Sequence, residues 1–300
     1  MKKVLITGSN GQLGKALTKF APKNIELILT SRDLLDFNNN NQLKVYIRNL
    51  KPDWIINCAA YTSVDIAENN LSLANQINGF ALKVISSEIK KFGGKLIHIS
   101  TDFIFNGEQN RPYSTEEKGN PINVYGNSKL LGEIEIENQL SNMNQAAIIR
   151  TSWLMGHVGK NFISTIIRLN NEKIEIPVVS DQIGSPTSTF TLSKACWRLI
   201  EIGKLEPINK EKLLKLHWSD AGVASWYDIA VAIGEISYEL GLIKNKAIIH
   251  PIKSLNFKTL AKRPRFSVLD VSSSINYLGL KSIHWRTALL NVLKEIKKLS

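Results

Sequence analysis

The sequence predicts an α/β protein, a Rossmann-like doubly wound parallel sheet with a smaller C-terminal substrate-binding lobe. Three observations carry this. A short β-branched and leucine run, Lys3 to Thr7, ends in Gly8-Ser9-Asn10-Gly11-Gln12-Leu13-Gly14 and is followed by a helical stretch. Further apolar runs then alternate with helical periodicity, the pattern of parallel strands joined by crossover helices. Beyond about residue 170 the pattern loosens into Pro- and Gly-punctuated segments.

In chain order, Lys3 to Thr7 is the first strand and Lys15 to Phe20 a helix. Ile25 to Thr30 is the second strand, and Asn38 to Asn41 a polar turn. Asp53 to Ala59 and Lys95 to Ser100 are buried strands separated by the helical stretch Ser72 to Lys91. A helix at Asn127 to Leu140, a strand at Ala146 to Arg150 and a helix at Asn161 to Asn170 follow. The second half offers Gly184-Ser185-Pro186-Thr187, Pro251 and Lys262-Arg263-Pro264-Arg265 as breaks, with helices at Phe190 to Ile202, Ser225 to Leu240 and Trp285 to Leu299. The expected division is residues 1–170 for a dinucleotide-binding domain and 171–300 mainly for the lobe, with some segments returning to the first domain.

Composition narrows the function classes. With 300 residues, 43% of them apolar, the chain can bury a large core. The formal net charge is +12, but basic residues run no further than pairs such as Lys2-Lys3 and Lys297-Lys298, so a solvated lysine-rich surface is expected and nucleic acid is not. Residues 151–300 carry 21 Lys and Arg against 12 Asp and Glu, whereas residues 1–150 carry 17 against 14. A polyanionic small substrate held by the second half fits that excess. Two cysteines, Cys58 and Cys196, are expected as core packing in a reducing compartment, and no Cys/His cluster has metal-ligand spacing. No apolar run reaches membrane length, and the N-terminus is too polar for a signal core, so a cytoplasmic protein is expected.

The chemistry is concentrated in few positions. Glycines 8, 11 and 14 let a backbone turn tightly and approach a pyrophosphate at a helix N-terminus. Near the end of the second strand stands Arg32, which suits a 2′-phosphate and favours NADPH, with NADH as the alternative; a solvated loop charge is the plainer reading. Tyr125 and Lys129 lie four apart, so on a helix they share a face and the ammonium is expected to favour the phenolate. With Thr101 at the end of a parallel strand, they suggest nicotinamide-dependent carbonyl reduction. His98 is read as a packed strand histidine, and His157, His217, His250 and His284 form no constellation.

The chain also resembles the dTDP-4-dehydrorhamnose reductases, a branch of the extended short-chain dehydrogenase/reductases. The resemblance rests on segments 6–14, 57–62 with Val64, Asp65 and Glu68, 100–107, 121–133, 150–154, 181–187 and Arg263-Pro264 leading to Ser267. It implies Thr101, Tyr125 and Lys129 as the catalytic trio and Gly8, Asn10, Gly11, Gln12 and Leu13 as the pyrophosphate turn. Asp36 and Phe37 are then expected near the adenine, with Ala59, Ala60 and Tyr61 on the nicotinamide side. Asp102, Phe103, Trp153 and the loop from Gln182 to Thr187 face the nucleotide sugar, with Arg263 on its diphosphate. Trp153 is equally a core plug by its position alone.

The implied reaction is reduction of the C4 ketone of dTDP-4-dehydro-L-rhamnose. Phe103 and Asn106 depart from the family's usual Tyr and Asp, which loosens the exact sugar but not the reaction type. Some members pair through a divalent metal such as magnesium; no ligand set for it is assigned here, and a homodimer stays open. Two alternatives stand beside this reading. One is another nucleotide-sugar reductase or epimerase; a dehydratase is disfavoured because Asp102 is followed by Phe103 rather than Glu. The other is a non-catalytic NADP-binding subunit resembling the regulatory subunit of methionine adenosyltransferase.

Overall fold

In a computed structural model, residues 1–208 and 211–299 are described. Six strands form one parallel sheet: β1 (Lys2–Thr7), β2 (Ile25–Thr30), β3 (Trp54–Asn57), β4 (Lys95–Thr101), β5 (Ala146–Thr151) and β10 (Leu214–Trp218). Their order is β10-β5-β4-β3-β1-β2, and every neighbouring pair is parallel. The chain runs outward from β1 to β2 and then crosses to β3 on the other side of β1. That reversal opens a crevice at the carboxyl ends of β1 and β3, the place where open α/β sheets bind ligands.

Both faces of the sheet are covered, which is why its strands read as apolar runs without alternation. On one face Val4, Ile6, Ile56 and Ile97 pack against Leu13 and Leu17 of α1 (Gln12–Lys19) and against Leu192, Cys196 and Leu199 of a helix from the second half. On the other, Leu5, Ile55, Leu96 and Ile148 pack against α2 (Asn40–Leu50), α5 (Ala81–Phe92) and α6 (Val124–Leu140). Each such side chain contributes about 1.5–3 kcal/mol by leaving water.

Three local differences from the sequence expectations have physical reasons. The polar turn expected at 38–41 ends at Asn38 and runs straight into a helix: the Asn39 side chain accepts from Gln42 N and caps α2. The helical stretch expected over 72–91 is present and continuous, but it is not regular. Short α3 (Val64–Ala67) and α4 (Leu71–Asn75) precede a π-helical turn at Gln76–Phe80, and only then does α5 begin. The wide turn carries Asn78, whose side chain serves the site. Helix α6 begins three residues before Asn127 because Asn123 accepts from Gly126 N at 2.7 Å and Glu68 accepts from Val124 N at 2.9 Å. Tyr125 therefore sits in a capped first turn.

After β5 the chain builds the lobe. Its short strands are β6 (Leu154–Met155), β7 (Glu175–Val179), β8 (Ile183–Gly184), β9 (Thr187–Ser188), β11 (Ala224–Ser225) and β12 (Ile248–Ile252). Its helices are α7 (Phe162–Glu172), α8 (Thr189–Ile202), α9 (Trp226–Glu239), α10 (Ser272–Leu278) and α11 (Trp285–Leu299). A separate core joins Ile163, Ile166, Ile176, Ile229, Ile233, Leu289 and Val292. Helix α8 nevertheless lies on the main sheet and β10 extends it. No helix among the described residues is long and apolar enough to cross a membrane.

Candidate active site

A cavity of about 860 Å³ opens at the switch between β1 and β3. It runs from the glycine turn past Arg32, Asp36 and Phe37, along Ala59 to Tyr61, to Thr101, Asp102, Phe103, Tyr125 and Lys129, and ends at Trp153 and Arg263. Residues separated by more than 250 positions thus meet on one surface. Gln182 stands apart: it is buried and lines a neighbouring cavity of about 1200 Å³, which shares Arg263 and Trp226 with the first.

The glycine turn is shaped by contact. Gly8 has φ +64, and a Cβ there would lie 2.8 Å from Ala59 N. A Cβ on Gly14 would lie 2.5 Å from Gly8 O. The turn is therefore pressed against β3 and folded on itself, leaving backbone bare toward the cavity. Gln12 lines the cavity as well, and its side-chain carbonyl accepts from Gly156 N and Asn161 Nδ2, both at 2.9 Å, tying α1 to the lobe. A bare backbone, a helix N-terminus and an arginine at the end of β2 fit a dinucleotide phosphate.

At the other end, Tyr125 is half-buried and its phenol is pushed up to about 12 by loss of solvent, against the pull of the Thr101 hydroxyl. Its ring meets Phe103 edge-on at 5.9 Å. Lys129 is buried. Its Nζ donates to Ile99 O at 2.6 Å and lies 3.1 Å from His98 Nε2, and burial draws it down to about 8. The lysine Nζ thus turns into the sheet, toward β4, where its hydrogen-bond partners are Ile99 O and His98. Thr101 Oγ1 donates to Asp102 Oδ1 at 3.0 Å, and burial raises the Asp102 carboxyl to about 7.

Two residues do work that their sequence positions conceal. Asn78 on the π turn accepts from Tyr61 N and donates to Tyr61 O and Ser128 Oγ, all within 3.0 Å, which fastens the 59–61 segment to α6. An asparagine beside glycine inside a helical pattern was the available signal. His98, packed as expected, is fully buried but also contacts Lys129. Cys196 is core, whereas Cys58 is half-buried and lines the cavity.

Arg263 pairs with Asp65 of α3, Nη2 to Oδ2 at 2.5 Å, and the carboxylate is lowered despite burial. Trp153 adopts φ 45, unusual for a bulky residue, and stacks on Trp226 at 3.9 Å. It is at once a plug against the lobe and a wall of the cavity. Among the described residues, no group of three or more His, Cys, Asp or Glu side chains is placed to hold a metal.

Matched against family profiles, residues 1–298 fit the RmlD substrate binding domain. The chain belongs to the RmlD family of dTDP-4-dehydrorhamnose reductases. The family is one of NAD(P)-dependent oxidoreductases of nucleotide-sugar biosynthesis, and this chain is one of them. It is 36% identical to the spore coat polysaccharide biosynthesis protein SpsK of Bacillus subtilis, covering 98% of each chain. It is 33% identical to the dTDP-4-dehydrorhamnose reductase of Aggregatibacter actinomycetemcomitans, over 97% of this chain and 98% of that one. Among solved structures, dTDP-4-dehydrorhamnose reductase from Bacillus anthracis in complex with NADP superposes with a TM-score of 0.88 at 35% identity, covering 98% and 100%.

Proposed function

We propose that this RmlD-family chain reduces the C4 ketone of dTDP-4-dehydro-L-rhamnose to dTDP-L-rhamnose, using NADPH. The observation that carries the reading is the meeting of Thr101, Tyr125 and Lys129 with the glycine turn on one cavity. A relative with bound NADP and the position of Arg32 on the cavity support NADPH over NADH. In this reading Gly8, Asn10, Gly11, Gln12 and Leu13 hold the pyrophosphate. Arg32, Asp36 and Phe37 hold the adenosine, and Ala59, Ala60 and Tyr61 flank the nicotinamide. Residues 1–170 carry the cofactor and most of 171–300 the sugar nucleotide.

When bound, the nicotinamide supplies the hydride. Tyr125, kept as the neutral phenol by burial, gives its proton to the oxygen that becomes alkoxide. Thr101, at the carboxyl end of β4, turns its hydroxyl from Asp102 to that same oxygen. Lys129 holds the nicotinamide ribose. Phe103, Trp153 and Gln182 border the sugar and nucleoside, and Arg263 exchanges Asp65 for the substrate's diphosphate, which a guanidinium can grip with two hydrogen bonds.

Absorbance of the reduced nicotinamide, followed on mixing protein, NADPH or NADH and freshly generated keto sugar, tests this. Substrate-dependent oxidation that falls by about 10²–10⁴ in Tyr125→Phe, with cofactor affinity kept, is the expected result. Cofactor binding without oxidation would refute it and favour the non-catalytic subunit.

A further inference from the structure

Lys129 ends a chain of hydrogen bonds that the reduction does not explain. Ala59 N–H donates to Thr7 Oγ1 at 3.4 Å, and Thr7 Oγ1 donates to Asn57 Oδ1 at 2.5 Å. Asn57 Nδ2 lies 3.0 Å from His98 Nδ1, and His98 Nε2 lies 3.1 Å from Lys129 Nζ. Thr7, Asn57, His98 and Lys129 are all buried, and they cross the sheet from β1 through β3 and β4 to α6. The chain has a direction. A backbone N–H can only donate, so the Thr7 hydroxyl is free to donate onward, the Asn57 carbonyl accepts, and its amide N–H faces Nδ1. A neutral ring that accepts at Nδ1 carries its proton on Nε2.

We propose that His98 is a positioning residue for Lys129, its Nε2–H tautomer fixed by Ala59, Thr7 and Asn57 so that the sheet holds the uncharged amine as hydrogen-bond acceptor. Protonating Nζ then requires the chain to reverse. Nζ gains one proton from solvent, the ring proton moves from Nε2 to Nδ1, the Asn57 amide flips, and the Thr7 hydroxyl becomes an acceptor. Protonation and chain direction form a single two-state device.

The other groups facing Lys129 do not supply this preference. Glu133, one turn along α6, raises its pKa but is paired with Arg150, and Cys58, after β3, also raises it. Tyr125 on α6 stays a neutral phenol, with Asp102 beside it. Desolvation by burial is the largest cause drawing Lys129 down to about 8, and the ring N–H works in the same direction. The consequence for turnover rests on the reductase reading: the alkaline limb of kcat follows Lys129.

The test uses the whole chain without cofactor, with 13C at lysine Cε and 15N in the histidine rings, Lys129 being assigned through Lys129→Met. Above the Lys129 midpoint, His98 is expected protonated on Nε2, and below it on Nδ1, both changes sharing one midpoint. Thr7→Val, three links from the amine, frees Asn57 to flip and is expected to raise that midpoint, leaving at least threefold less neutral amine at pH 8. Thr7→Ser restores it. An Nδ1–H ring above the midpoint, or a Thr7→Val titration superposing on that of the unsubstituted protein, overturns the proposal. The ring measurement decides it even if Thr7→Val does not fold. Failure of the unsubstituted protein to turn over keto sugar removes the reductase reading alone, since these titrations need no substrate.

Discussion

Glu133→Gln removes one charge from the buried face of α6, and its cost follows from the geometry. Glu133 is 3% exposed; it accepts from Ser100 Oγ at 2.5 Å and from Arg150 Nε and Nη2 at 3.2 and 2.8 Å. Arg150 is equally buried on β5. The amide keeps the volume but leaves a desolvated guanidinium without its counter-charge, worth about 3–5 kcal/mol. With an unfolding entropy of about 2.1 cal/mol/K per residue, a chain this long has about 0.6 kcal/mol/K at Tm, so the melting temperature should drop by about 5–8 °C. Thermal unfolding followed by circular dichroism at pH 7 measures it. The double variant Glu133→Leu with Arg150→Met, which removes both charges, should recover part of the loss. A Glu133→Gln melt within 1 °C of the unsubstituted protein would refute the claim that this pair ties α6 to the sheet.

Gly14→Ala places a methyl 2.5 Å from Gly8 O and Ser9 Cα, backbone that cannot step aside. It should cost about 1–3 kcal/mol in overpacking and weaken NADPH binding at least tenfold, read by nucleotide fluorescence titration; unchanged binding would contradict the proposed role of the turn. Asp102 and Asp220 are both raised to about 7 by burial, against about 3.9 in an unfolded chain. Between about pH 4 and 7 the native state holds protons that the unfolded chain has released, so their contribution to stability falls as pH rises through that window. Asp102→Asn should flatten the fall in melting temperature from pH 4 to 7; an unaltered slope would show that Asp102 does not titrate there.

Much of the site was legible because it depends on local rules. A strand, three spaced glycines and a helix start specify a phosphate turn wherever they occur in that order, and Tyr125 and Lys129 share a helix face by geometry alone. The strands of the sheet were readable as apolar runs because both faces are buried. Element ends were less so: Asn39 and Asn123 act as caps, and a cap differs from a polar loop only through the backbone N–H that it meets.

What the sequence by itself determined was the fold class, the glycine turn and the i, i+4 placement of Tyr125 and Lys129 on one helix, since short-range stereochemistry and periodicity encode them. Tertiary structure decided where long side chains go. It brought β10 and α8 back to the first sheet, paired Arg263 with Asp65 across nearly 200 residues, put Gln182 in a neighbouring cavity, and turned Lys129 to His98. A flexible stem reaches several partners, and only the packed sheet settles which of them compensates a buried charge.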